Sequence, residues 1–177
     1  AVKSMGLDEL YPFNAKEKII EYRIADENAR KLVKMNLRQF CNETLSDCPA
    51  PGGGSVAALV GALGVSLAGM VANLSASKQG WDERIPEFSA VASDAQRLKD
   101  ELLYLVDEDT AAFNKVMDAF RLPKESDEEK AARSAAIQAA NKYAAQVPLK
   151  VMETAAAAYA VVAAMAEGGN PASITDA

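Results

Sequence analysis

An all-α domain, a multi-helix bundle of long antiparallel helices, is the fold class this sequence predicts. Three observations carry that expectation. Apolar residues fill 50% of the 177 positions but aromatic residues only 6%, so alanine supplies much of the apolar content. Runs such as Ala131-Ala132 and Ala155 to Ala158 favour helix over sheet. Apolar positions also recur at three- and four-residue intervals, the period of a helix with one buried face. The length suits one domain that buries roughly two-thirds of the surface of its unfolded chain.

Residues 1–28 read as a linker or junction segment and 29–177 as the helical domain. Gly6, Pro12 and Asn14 scatter through the lead-in, and a first helical period follows from Lys16 to Ile24. A clearer one runs from Ala29 through Leu32, Val33, Leu37, Phe40 and Cys41, ended by Pro49 and Pro51. The stretch from Cys48 to Ser77 holds no charge and is long enough to cross a bilayer. Much of it is Gly, Ala, Ser and Asn, whose burial in lipid gives little transfer free energy. Gly61, Gly64, Ser66, Ala68 and Ala72 instead let neighbouring helices approach closely, so a central helix of a soluble bundle is expected and no membrane.

Beyond Gly80-Trp81-Asp82, the spacing of Val91, Leu98, Leu102, Leu105, Ala112, Val116 and Phe120 predicts one long helix from Pro86 to Arg121. Leu122-Pro123-Lys124 closes it. Ser126-Asp127-Glu128-Glu129 has the form of a capping box and opens a helix to about Gln146. Pro148 resets the chain, and Leu149 to Glu167 forms an alanine-rich helix that stops at Gly168-Gly169-Asn170-Pro171. Ser173 or Thr175 would cap one more helix. The sequence ends at Ala177 where that helix should start, so a final C-terminal packing helix is expected to be missing. No internal repeat is evident.

The net charge of −6, with no basic patch, argues against nucleic acid and against an anionic membrane. Cys41 and Cys48 lack the spacing of a metal site and are too few for a disulfide framework; reduced thiols in a cytoplasmic protein are expected. Histidine is absent, which removes imidazole bases, His-dependent nucleophile systems and most zinc sites. No metal is expected, and acid-base work falls to Asp, Glu, Lys, Tyr or Cys.

In "LVDEDTAAF", residues 105–113, the two aspartates point differently. At about 100° per residue, Asp109 lies within roughly 40° of Leu102, Leu105, Phe113 and Val116, while Asp107 faces nearly the opposite way. A carboxylate on an apolar face is costly unless paired, hydrogen-bonded or protonated, and burial alone would raise its pKa toward neutrality. Asp109 is therefore the candidate general acid or base, against the plainer reading of a buried, satisfied Asp. Gly52, Gly53 and Gly54, followed by Ser55, would leave backbone N–H groups free at a helix start, where the dipole favours an anion. A glycine turn that merely lets helices cross is as common, and this is not a phosphate-binding Walker sequence. Lys78 and Lys124 each stand in a turn that could meet an anionic ligand, although isolated lysines are more often solvated. Asn170 and Asp176 flank the last turn, where polar groups can be presented to a ligand or simply serve the turn.

Together, "APGGGSVAALVGALGVSLAGMV" (50–71), "LVDEDTAAFNKVMDAFRLPK" (105–124) and "GNPASITDA" (169–177) resemble the formiminotetrahydrofolate cyclodeaminase family, which includes methenyltetrahydrofolate cyclohydrolases. The opening "GLDELYPFNAKEKIIEY", residues 6–22, is similar to the segment joining a formiminotransferase domain to the cyclodeaminase domain in bifunctional members. The resemblance implies an all-helical, dimerising protein, a homodimer or higher homo-oligomer, with a fused or partner formiminotransferase domain. It implies an ammonia-lyase of folate one-carbon metabolism, linked to histidine degradation, that turns 5-formiminotetrahydrofolate into 5,10-methenyltetrahydrofolate and ammonia. The alternatives are a cyclohydrolase acting on the methenyl bridge, or a non-catalytic helical dimerisation module. Carried over by the resemblance, the catalytic aspartate falls on Asp109 and the substrate loop on Gly52, Gly53, Gly54 and Ser55. The Leu-Pro-Lys turn falls on Leu122, Pro123 and Lys124, and the late polar pair on Asn170 and Asp176. Lys78 and Lys124 are the expected partners of the glutamate tail, polyglutamylated or not. No cofactor beyond the tetrahydrofolate substrate is implied. Thr175 stands where the family often has Ser.

Overall fold

The computed structural model describes residues 32–177. The chain divides into two compact units, Ala1–Lys34 and Met35–Ala177. Of the first, only a short 3-10 turn, Leu32–Lys34, is described; the helical period at Lys16–Ile24 and the junction segment lie outside the described residues. The second unit holds four α-helices: α1 (Leu37–Leu45), α2 (Gly53–Ala76), α3 (Ile85–Phe120) and α4 (Asp127–Gly168). Two 3-10 turns, Asp82–Arg84 and Pro171–Asp176, complete it, and among the described residues there is no strand.

The expected helix from Ala29 to Cys41 is broken within its span. Asn36 is extended and starts a new helix, its side chain accepting from Gln39 N at 2.9 Å while Gln39 Oε1 accepts from Asn36 N at 3.1 Å. Such a reciprocal cap satisfies two orphan donors and fixes the helix start more firmly than the apolar period does. Ser126 and Glu129 form the predicted capping box at the start of α4, with Glu129 N donating to Ser126 Oγ at 3.1 Å.

Three long helices make the bundle. Ser55 meets Asp109 and Gly69 meets Ala95, so α3 runs antiparallel to α2. Lys150 bonds Glu101 at 2.9 Å and Tyr143 bonds Glu108, so α4 runs antiparallel to α3. Gly61 meets Ala155 and Gly169 meets Val71, so α4 lies parallel to α2. The core between them is made of small and branched side chains: Ala58, Ala62, Val65, Ala68 and Val71 from α2, Ala95, Leu98, Leu102 and Val106 from α3, and Val151, Ala158 and Met165 from α4. Helix α2 is long and apolar enough to cross a membrane, as is a window of α4; in this fold α2 packs against both other long helices.

Helix α4 continues through Pro148, where the sequence predicts a break. An internal proline costs roughly 3 kcal/mol against alanine. Packing on both sides holds this helix together: Val147, Val151 and Thr154 are buried around the proline, and Lys150 is tied to Glu101. The C-terminal stop falls at Gly168, with Gly169 capping. A Cβ on Gly169 would lie 2.4 Å from Met165 O and 2.8 Å from Val71 Cγ1, so only glycine fits. Asn170, rather than Ser173 or Thr175, caps the final turn: its side chain accepts from Ala172 N, and Pro171 takes the first position, where a missing N–H is harmless.

Candidate active site

The Pro49–Gly54 loop leads through a cis Ala50–Pro51 peptide into α2, and the first turn of α2 faces the middle of α3. There Asp109 Oδ2 accepts from Ser55 N at 2.9 Å and lies 3.2 Å from Ser55 Oγ. Ser55 is fully buried, and its hydroxyl donates its single proton to Val106 O at 2.7 Å. The carboxylate therefore sits at the positive end of α2, with one oxygen fixed by a backbone donor. Asp109 Oδ1 makes no hydrogen bond among the described residues.

The glycines explain how the carboxylate gets so close. A Cβ on Gly54 would stand 2.1 Å from Asp109 Oδ1 and 2.5 Å from Cγ. Any side chain there would expel the carboxylate from its seat. Gly52 is less restricted, since its Cβ would meet Asp109 Oδ2 at an ordinary 3.5 Å, and a Cβ on Gly53 would meet nothing. The helix N-terminus expected to hold an external anion thus holds an internal one. Asp109 is half-buried and hydrogen-bonded, not an isolated carboxylate among apolar groups.

Around this pair lies a cavity of about 220 Å³, bounded by Pro49, Ala50 and Gly52 from the loop, Gly53 and Gly54 from the start of α2, Asp109, Thr110 and Phe113 from α3, and Ala144 from α4. It is smaller than the 300–1,000 Å³ typical of sites that enclose a drug-sized ligand, so it takes one end of such a molecule. One turn further along α3, an apolar groove of about 510 Å³ runs between α3 and α4, lined by Lys115, Ala119, Leu122, Ala136, Ala140 and Tyr143. At its edge Tyr143 donates to Glu108, and Lys115 Nζ lies 3.8 Å from the same carboxylate and 3.9 Å from the Tyr143 ring centre. The bond from Tyr143 holds the Glu108 carboxyl below its usual range, while Glu108 pushes the Tyr143 hydroxyl up to about 12. A third groove, about 490 Å³ between Met70, Leu74, Ala95 and Lys99, contains no carboxylate and offers no comparable acid-base group.

The structure brings together Gly52, Gly53, Gly54, Ser55 and Asp109, and separates the rest. Lys78 follows the C-terminus of the 24-residue α2, about 36 Å along the axis from Gly53, with its Nζ 3.9 Å over the Trp81 ring. Asn170 is at the same end, its backbone N donating to Ser75 Oγ at 2.8 Å, and Asp176 is exposed beyond it. Within one chain these three do not reach the Asp109 cavity, because α2 spans the bundle between them. Lys124 is exposed in the loop after α3, about 17 Å of helix beyond Asp109, past the apolar groove. As members of the site, sequence reasoning missed Pro49, Ala50, Thr110, Phe113 and Ala144, which line the cavity. No local pattern marks Thr110 or Ala144: Thr110 follows Asp109 on the same helix, and Ala144 reaches the cavity only through the packing of α4 on α3.

Fold and site define a class: an all-helical domain in which a carboxylate from one long helix is seated on the glycine-lined N-terminus of another. The chain belongs to the formiminotransferase-cyclodeaminase family, whose model, described as "Formiminotransferase-cyclodeaminase", matches residues 36–177. It is 37% identical to the rat formimidoyltransferase-cyclodeaminase over 99% of this chain and 32% of that protein. It is 38% identical to the methenyltetrahydrofolate cyclohydrolase of Methylorubrum extorquens over 80% of this chain and 68% of that one. The crystal structure of formiminotetrahydrofolate cyclodeaminase from Thermotoga maritima superposes with a TM-score of 0.69 at 32% identity, covering 81% of this chain and 67% of that chain. The chain spans about a third of the length of the mammalian relatives, 32% in each case.

Proposed function

We propose that this chain is a folate one-carbon enzyme that converts 5-formiminotetrahydrofolate to 5,10-methenyltetrahydrofolate with release of ammonia. The observation that carries the reading is the Asp109 carboxylate: Oδ2 is anchored on Ser55 N, and Oδ1 is left unbonded at a cavity. Ring closure needs N10 to attack the formimino carbon on N5, a proton to leave N10, and a proton to reach the departing nitrogen. One fixed carboxylate can accept the first proton and return it to the second site. The folate rings run from this cavity along the α3–α4 groove, and Lys124 meets the glutamate tail. The names of the rat and Thermotoga relatives support the cyclodeaminase direction.

The Methylorubrum relative, matched over most of its length, favours a second reading in which water opens the methenyl bridge. Mixing the protein with 5-formiminotetrahydrofolate and following methenyl absorbance together with ammonia separates the two. Growth of both signals supports the cyclodeaminase. Hydrolysis of 5,10-methenyltetrahydrofolate above the buffer rate, without ammonia from the formimino compound, supports the cyclohydrolase. Silence in both assays overturns the catalytic reading.

The assembly we propose is a homodimer about α2, acting beside a fused or partner formiminotransferase domain such as the rat relative's name implies. Val60, Leu63, Leu67, Met70 and Leu74 stay 39–62% exposed at alternating intervals of three and four, the spacing of a coiled-coil seam. The row is nearly symmetric about Leu67, and no charge stands between Cys48 and Ser77 to oppose self-pairing. Antiparallel pairing about Leu67 sets Val60 against Leu74 of a second copy and Gly54 opposite its Gly80. Lys78 of one copy would then approach the Asp109 cavity of the other.

A further inference from the structure

The apolar face of α3 changes character at Asp109. At about 100° per residue, Leu102, Leu105, Phe113, Val116 and Phe120 all lie within roughly 40° of Asp109 around the helix. Before Asp109 this face is covered, with Leu102 and Leu105 fully packed away. Beyond it the face opens: Phe113 is 37% exposed, Val116 half-buried and Phe120 49% exposed. Burying a large aromatic side chain is strongly favourable, so a ring left open beside a cavity marks surface that a ligand can cover.

The two open rings differ in what they touch. Phe120 has the Arg133 guanidinium 5.6 Å from its ring centre, and Arg133 also donates to the Phe120 carbonyl. Trp81 and Phe88 stack on each other, and Lys115 lies over Tyr143. Phe113 has no ring and no cation against it among the described residues. It is also the aromatic side chain in the lining of the Asp109 cavity, one turn of α3, about 6 Å, beyond the carboxylate. Its partial exposure puts it at the mouth rather than the floor.

A tetrahydrofolate offers two ring systems to such a surface, and the chemistry of the site selects one. The proton of ring closure leaves N10, and the aminobenzoyl ring is bonded directly to N10. A carboxylate that reaches that proton therefore has the aminobenzoyl ring within a helical turn of it. That ring is flat and fully aromatic, whereas the reduced pterin ring is puckered at two saturated carbons and stacks less well. We propose that Phe113 is the platform on which the aminobenzoyl ring of the substrate stacks as it leaves the Asp109 cavity. The role rests on the folate reading above and adds to it a binding residue and the part of the substrate that residue holds. Such a stack is the same in the ground state and the transition state, so it lowers KM and leaves kcat alone.

Phe113→Leu tests it, because leucine keeps an apolar side chain at an open position and removes the ring. On the full chain, Tm should stay close to wild type, while the tetrahydrofolate Kd weakens about tenfold. For 5-formiminotetrahydrofolate, KM should rise about tenfold with kcat within about threefold of wild type. Two fragments separate the rings: p-aminobenzoylglutamate should compete with tetrahydrofolate on the wild-type protein and lose that competition in Phe113→Leu, whereas 6-methyltetrahydropterin, which lacks the aminobenzoyl arm, should bind both alike. Phe113→Tyr keeps the ring and should restore the tetrahydrofolate Kd to within about twofold. A Phe113→Leu protein with wild-type affinity for tetrahydrofolate overturns the role of Phe113, as does an equal loss of affinity for 6-methyltetrahydropterin. So does a failure of p-aminobenzoylglutamate to compete on the wild-type protein, a measurement that depends on no variant. A wild-type protein that neither binds tetrahydrofolate nor turns over the formimino compound overturns the folate reading itself, and the role of Phe113 with it.

Discussion

Gly54→Ala isolates the seating of Asp109 from its chemistry. The new Cβ would lie 2.1 Å from Asp109 Oδ1, while ordinary van der Waals contact begins at 3.4 Å, so the carboxylate must retreat by the difference, about 1.3 Å. Both atoms hang on rigid parts of long helices, so the side chain has to rotate away and the Ser55 N bond at 2.9 Å is lost. A hydrogen bond to a charged group contributes about 1.5–3 kcal/mol. Alanine returns about 1 kcal/mol in helix propensity, leaving a net destabilisation of about 0.5–2 kcal/mol. That is too little to unfold a typical domain. A reacting group misplaced by about 1 Å, however, can cost on the order of 100-fold in rate. The variant should therefore keep its helical circular dichroism and a cooperative unfolding transition while its rate of methenyl formation falls about 100-fold. A folded Gly54→Ala protein with turnover within threefold of wild type would refute the claim that Asp109 must sit on the N-terminus of α2.

Ser55→Ala should be milder: the backbone N–H that holds Asp109 remains, so a loss of about 1 kcal/mol in urea unfolding and less than tenfold in kcat is expected. Tyr143→Phe probes the contact between α3 and α4. The Tyr143 hydroxyl, pushed from 10.0 up to about 12 by its bond to Glu108, binds its proton more tightly in the folded state. Its contribution is thus complete below pH 10 and is lost as pH rises toward about 12, so the stability gap between wild type and Tyr143→Phe should shrink across that window. Leu67→Lys places two like charges across the proposed α2 seam, and sedimentation should show a dimeric wild type and a monomeric, still helical variant. A wild-type monomer, or a variant dimer of unchanged affinity, contradicts the seam.

The periodicity of α3 and the capping box at Ser126 made the two longest helices legible in the sequence, because each depends on residues close in the chain. Asp109 was legible for the same reason: its direction follows from its distance to Leu102 and Leu105 along one helix. The continuity of α4 through Pro148 was not, since local chemistry argues for a stop and only tertiary burial of Val147 and Val151 overrides it. The break before Asn36 was hidden by an apolar period that carries on across it. Lys78, Asn170 and Asp176 read as members of one site, but sequence order says nothing of which end of a 24-residue helix a turn occupies. That Ser55 donates to Val106 depends on a contact between helices more than fifty positions apart.

The central claim is that Asp109 moves the protons of ring closure, and Asp109→Asn tests it most directly. The amide keeps the size of the carboxylate and an oxygen to accept from Ser55 N, but it cannot take up a proton from N10. With 5-formiminotetrahydrofolate as substrate, the account predicts a folded variant that still binds tetrahydrofolate and whose linked release of methenyl product and ammonia falls by about 100-fold or more. Near-normal turnover by that variant would contradict it and remove Asp109 from the mechanism.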